Sequence, residues 1–319
     1  MQALVKKQRC AFLMFNSKIT LMNTQLIRID GHHAPVHVWP AQHNTDLTPL
    51  HFAHANGFPA GSYDKLLRLL AQERTVYAMD HRATWDSSPY EPPSEFTWHS
   101  AADDLIAAIE QVSPNGVIGV GHSLGAVSTL LAAIKRPDLF KQILLVEPVM
   151  FPTRMFVMFA GVPKPLRAKV FGLVKKTLLR RERWTTREEF TQALGGKSLF
   201  KGFSAEVFQD YATHGLRESS QRTMPGASND MLTLSFRKTW EAQVFLTPPY
   251  VWQKIKRLQV PCVVWRGEVG DVVPMHAWQK WEKIRPESPV RVLPKLGHMA
   301  PLQSPILMAN EIQKNLLSI

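Results

Sequence analysis

One short stretch limits the folds open to this chain more than any other. Residues 117–120 are an apolar run of strand length, followed directly by Gly121-His122-Ser123-Leu124-Gly125 and then by small apolar residues to about position 134. A chain that passes from strand to helix over so few residues must turn sharply. Glycines on either side of Ser123 let the two elements close on each other. Such a turn lifts the Ser123 hydroxyl to the carboxyl edge of a sheet, beside a helix N-terminus that favours developing negative charge. A glycine-rich turn with an incidental serine is the alternative, and it leaves the strand–turn–helix context unexplained.

The rest of the chain supplies a setting for that turn. β-like runs lie at 25–29, 36–39, 50–53, 76–79, 117–120, 143–146, 262–265 and 290–293. The first two are joined across Asp30-Gly31 and a histidine-rich connection longer than two residues. Helical patterns lie between the later runs: 100–112 with Ser100 as N-cap, 124–134, and 278–284. Alternating strands and helices predict an α/β fold with a mainly parallel sheet. The alternation stops between 151 and 250, where helical periodicity dominates. This predicts residues 22–150 and 251–319 as two parts of one core, 151–250 as an α-helical insertion, and 1–21 as a disordered extension. Residues 6–15 hold a basic cluster and an apolar run of about five residues, too short for a secretory signal.

Composition narrows the class of function. The chain has 319 residues, 45% hydrophobic and 20% charged, as soluble globular proteins do. Two cysteines, Cys10 and Cys262, make no disulfide framework and suit a reducing, cytoplasmic compartment. The net charge of +12 is uneven: residues 1–21 carry +4, and 151–250 carry 16 Lys/Arg against 8 Asp/Glu. A neutral body with a basic insert is not the footprint of a nucleic-acid protein. Leu166, Val170, Leu173, Val174 and Leu178 recur at helical spacing among basic residues. They predict a lid roofing an apolar pocket, with weak contact to anionic lipid as a sharper version and plain packing as the blander one.

A nucleophilic serine needs a base, and the base needs an orienting acid. His298, just after the last β-like run, falls on the same sheet edge as Ser123. Asp271, in the loop after 262–265, is the expected acid, with Glu268 and Glu147 as rivals. The Leu124 N–H, following the nucleophile, is one expected oxyanion donor. The loop His54-Ala55-Asn56-Gly57-Phe58-Pro59 offers the other, read as the Phe58 N–H with Asn56 as alternative or side-chain contributor. His122 and Trp85 are candidate pocket-lining residues. His32, His33, His37 and His43 lack acid or cysteine partners at ligand spacing, so no metal site is expected.

These stretches, with Met79-Asp80-His81-Arg82 and residues 267–271, resemble the α/β-hydrolase superfamily, in particular its lid-bearing, epoxide-hydrolase-like branch. The resemblance spans about residues 24–315. It implies a mostly parallel eight-stranded sheet flanked by helices, with the lid inserted after strand 6, and no cofactor. Here Ala55-Asn56 separate His54 from Gly57, where that branch often has His-Gly adjacent. Residues 83–87 replace its usual glycine-rich turn. Epoxide hydrolases and dehalogenases of the branch carry Asp at the nucleophile position, so Ser123 points to an acyl-enzyme route instead. The expectation is a serine hydrolase acting on a small-molecule ester or thioester with an apolar part. A C–C hydrolase or lyase using the same triad is the alternative, and a non-catalytic ligand-binding module is the third reading.

Overall fold

A computed structural model describes residues 22–43, 46–219, 231–270 and 272–316. The expected extension, residues 1–21, lies outside the described residues. Eight strands form one sheet: β1 (Asn23–Ile29), β2 (His32–Trp39), β3 (Leu50–Ala53), β4 (Val76–Met79), β5 (Val117–His122), β6 (Phe140–Val146), β10 (Cys262–Gly267) and β11 (Val290–Leu293). Their order is β1-β2-β4-β3-β5-β6-β10-β11. β1 runs antiparallel to β2, and β2 to β4; all later pairs are parallel. The hairpin between β1 and β2 is tighter than the sequence suggests. His32 already pairs with Ile29, leaving Asp30 (φ 49°) and Gly31 (φ 79°) as a two-residue turn.

The central strands are covered on both faces, so they are mainly apolar rather than alternating, with His51 and His122 as buried exceptions. Every residue of β3 and β5 is buried. Leu105, Ile109, Leu130, Trp278 and Trp281 belong to a core with Ile143 and Leu145 of β6. Leu144 and Val146, on the other face, join Ile118, Val120, Leu66, Leu70 and Ile312. Helix Trp98–Val112 starts two residues before the predicted Ser100. Its N-cap is Thr97, and Ser100 returns a bond to the Thr97 N–H, completing a capping box.

Between β6 and β10 lies the insertion, and it is not purely helical. Helices Thr153–Gly161, Lys164–Val170, Gly172–Leu178, Arg187–Gly195, Ala205–Gly215 and Lys238–Leu246 accompany a small antiparallel sheet of β7 (Arg183–Trp184), β8 (Leu216–Glu218) and β9 (Leu232–Leu234), in order β7-β9-β8. These strands are two or three residues long, too short for alternation to register. The basic stretch 166–181 is also two helices rather than one, because Phe171 takes an extended conformation before Gly172. No helix among the described residues is long and apolar enough to cross a membrane.

Candidate active site

β5 delivers Ser123 to the carboxyl edge of the sheet, and the turn beyond it is strained. Ser123 has φ 56° and ψ −113°, a region costly for a residue with a side chain. The reason is the closeness of helix Leu124–Lys135 to the strands. A Cβ on Gly121 would lie 2.6 Å from the Ala126 backbone, and one on Gly125 only 2.0 Å from the Ala53 carbonyl oxygen. Only glycine fits both places, so the helix N-terminus is held hard against the end of β3. The Ser123 N–H donates to the Val146 carbonyl (3.0 Å), which ties the elbow to the end of β6.

His298 and Ser123 meet as expected. Ser123 Oγ lies 2.9 Å from His298 Nε2, and His298 Nδ1 lies 3.0 Å from a carboxylate oxygen, Oε2 of Glu147. A carboxylate only accepts, so Nδ1 carries the proton and Nε2 is free to receive the hydroxyl hydrogen. The carboxylate on the imidazole among the described residues is Glu147, the residue after β6 and one of the two rivals; the expected Asp271 lies outside the described residues. Glu147 is 1% exposed and itself strained, with φ 51°. Its other oxygen, Oε1, accepts from the Gly267 N–H at 2.5 Å. The last residue of β10 therefore supplies a donor that steadies this carboxylate. Glu268, the other rival, accepts from the Lys295 N–H (2.7 Å) at the surface.

His122 is fully buried beneath the site and joins its two sides. Ala55 N–H donates to Tyr63 Oη (3.3 Å), Tyr63 O–H to His122 Nδ1 (2.8 Å), and His122 Nε2–H to the His298 carbonyl (2.8 Å). The ends of this chain fix its direction, since an N–H must donate and a carbonyl must accept. Burial, with the adjacent His298 as a lesser cause, pushes the His122 pKa down to about 3, so it stays neutral. It acts beneath the site, not as pocket lining.

The oxyanion expectation needs one correction. Leu124 opens its helix, so its N–H is one of the first-turn donors that the helix itself leaves unpaired. The Phe58 N–H, by contrast, donates to the Ala55 carbonyl (3.2 Å) within a turn made by Gly57 (φ 82°). The Phe58 ring stacks on Tyr211 at 4.7 Å in an aromatic cluster with Phe200. The Asn56 and Gly57 N–H groups, unlike those of Ala55 and Phe58, meet no acceptor among the described residues. Asn56 Nδ2 donates to the Glu241 carbonyl (3.2 Å).

Trp85 is likewise not a lining residue. It is wholly buried against Val36 and Met79, and its Nε1–H donates to the Asp80 carbonyl (2.6 Å). The slot beside the elbow is lined instead by His81, Phe96, Leu124, Phe236, Trp240 and Val244, among others. Its volume is about 10 Å³, close to what one water needs. Phe236, Trp240 and Val244 come from the insertion at four-residue spacing, a helical signal legible in the sequence. The insertion is fastened over the site by Arg180 on Glu241 (2.5 Å), by Tyr211 O–H on the Gly57 carbonyl (3.3 Å), and by Arg237 on the Ser88 carbonyl (3.0 Å). Ser123 is 7% exposed in this closed arrangement. No group of three or more His, Cys, Asp or Glu among the described residues could hold a metal.

Comparison with known proteins fits this arrangement. The model of the Alpha/beta hydrolase family matches residues 52–311, and the chain belongs to that family. It is 24% identical over 256 residues to 2-(acetamidomethylene)succinate hydrolase of Mesorhizobium japonicum, spanning 80% of this chain and 82% of that protein. It is 23% identical over 262 residues to the Karrikin insensitive 2 receptor IA of Petunia hybrida, spanning 79% and 84%. Among solved structures, the thioesterase domain from the curacin biosynthetic pathway superposes with a TM-score of 0.70 at 15% identity. That match covers 92% of this chain and 99% of that one.

Proposed function

We propose that this alpha/beta hydrolase cleaves a carboxylic ester or thioester with an apolar acyl or alcohol part, through an acyl-enzyme on Ser123. One observation carries the reading: a strained serine donates to His298 Nε2, and the opposite nitrogen of that imidazole donates to buried Glu147. In this mechanism Ser123 Oγ attacks the carbonyl carbon as His298 takes its proton. Glu147 holds the tautomer and stabilises the imidazolium. The Leu124 and Asn56 N–H groups face the developing oxyanion. His298 then protonates the leaving alcohol or thiol, and water, activated by the same imidazole, hydrolyses the acyl-enzyme. The apolar lining of the slot supports an apolar acyl or alcohol part, and its small volume requires the insertion to move before substrate enters. Cys262, a buried free thiol, agrees with a cytoplasmic setting.

The test is a stoichiometric fluorophosphonate label on Ser123, beside a panel of p-nitrophenyl esters of increasing chain length, acyl thioesters, β-diketones and 2-(acetamidomethylene)succinate. Labelling with ester or thioester turnover that vanishes in Ser123→Ala supports the proposal. Turnover confined to the diketones would move the chemistry to C–C cleavage. An unlabelled Ser123 in folded protein would leave a ligand-binding module, a reading in keeping with the receptor among its relatives.

A further inference from the structure

The insertion carries a surface that the chemistry above does not use. From Pro148 to Arg181 the chain has eight Lys/Arg and no Asp or Glu. Within it, Met155, Val157, Met158, Leu166, Val170, Leu173 and Leu179 stand 44–75% exposed. These are seven of the fifteen large apolar side chains exposed among the described residues, gathered into the 25 positions from Met155 to Leu179. Met155 and Met158 are three apart on one helix, and Leu166 and Val170 four apart on the next, so each pair shares a face. Arg154, Lys169, Lys175 and Lys176 are exposed on the same three helices. Soluble surfaces seldom group large apolar side chains in this way without a partner.

We infer that the helical arm of residues 153–179 docks on an anionic phospholipid bilayer, its apolar side chains entering the headgroup boundary and its lysines and arginines meeting lipid phosphates and carboxylates. Charge decides between occupants. A second copy would set one acid-free basic arm against another, and residues 1–21, at +4, would also be repelled. A negative lipid surface attracts both features at once, in the manner of interfacial helices. The arm runs straight into Arg180, whose partner Glu241 lies on the helix that lines the slot with Trp240 and Val244. Docking therefore takes hold of the insertion at the end that fastens it, and brings the site to where apolar esters collect.

The full chain would be sedimented with phosphatidylcholine vesicles and with vesicles containing a third phosphatidylserine. Partition to the anionic vesicles at least tenfold above the neutral ones is expected, weakening as salt rises. The double variant Lys175→Glu/Lys176→Glu and the single variant Met158→Glu should each lower it tenfold or more. Turnover of a short soluble ester and an unchanged melting temperature would certify their fold. Ser123→Ala should bind vesicles as the parent does, so this result stands apart from the catalytic proposal. Equal binding to neutral and anionic vesicles, no binding to either, or a dimer in sedimentation velocity that the same substitutions dissociate would each overturn the inference.

Discussion

At the scale of single residues, the elbow and the histidine were readable because their signals are local. Ser123 sits inside a five-residue motif, and His298 follows the last strand directly. The acid was not readable in the same way. Glu147 and Asp271 each follow a strand that ends at the same sheet edge, and sequence order cannot say which carboxylate turns towards the imidazole. The Glu147-Pro148 pair ending an apolar strand was a usable hint. Buried Glu147, doubly bonded to His298 and Gly267, separates the two by experiment. Glu147→Gln is expected to lower kcat by on the order of a thousandfold with little change in KM, because an amide in that place can favour the wrong imidazole tautomer. Asp271→Asn is expected to stay within about threefold of the parent. The opposite ranking would return the acid's role to Asp271.

At the scale of elements, the central strands β3 and β5 are the plainest apolar runs, since burial of every residue leaves little room for polar side chains, whereas β1, at the sheet edge and largely exposed, is marked by its pairing with β2. The insertion was visible as a block but not in detail. Its small sheet has strands too brief for periodicity, and at the break Phe171 stacks its ring on Phe159 at 4.3 Å, a contact between helices that local spacing does not encode. The junction of β5, β3 and the helix from Leu124 is the tightest point, with no flexible side chain able to yield. Gly125→Ala would press a methyl into the Ala53 carbonyl. A destabilisation of about 3 kcal/mol or more is expected, with loss of ester turnover, measured by urea unfolding. A variant as stable as the parent would mean that the helix can withdraw from β3, and that the elbow is looser than its geometry implies.

At the scale of the whole molecule, three enclosed imidazoles set the response to acid. His51, His81 and His122 are completely buried, and desolvation, the largest cause for each, lowers their pKa to about 3. Unfolding returns each to its ordinary value near 6.5, where it takes up a proton. The stability gained by keeping them neutral is complete above pH 6.5 and is lost as pH falls from there towards 3. Each group costs about 1.4 kcal/mol per pH unit in that window. From pH 6.5 to 5 the three together cost on the order of 6 kcal/mol, comparable with the whole stability of many domains. The melting temperature should therefore drop steeply between pH 6.5 and 5; a flat profile would show these rings already charged, or hydrated, in the folded state. One further consequence follows from the pairing of β5 with β6. Ser123 and Glu147 directly follow the paired residues His122 and Val146 at the ends of adjacent strands, so the sheet holds the two as one block, and His298 comes to them on a separate loop. In the proposed mechanism the retreat of that loop would silence Ser123 while leaving the sheet intact, so occupancy of the site can be governed from a single connection.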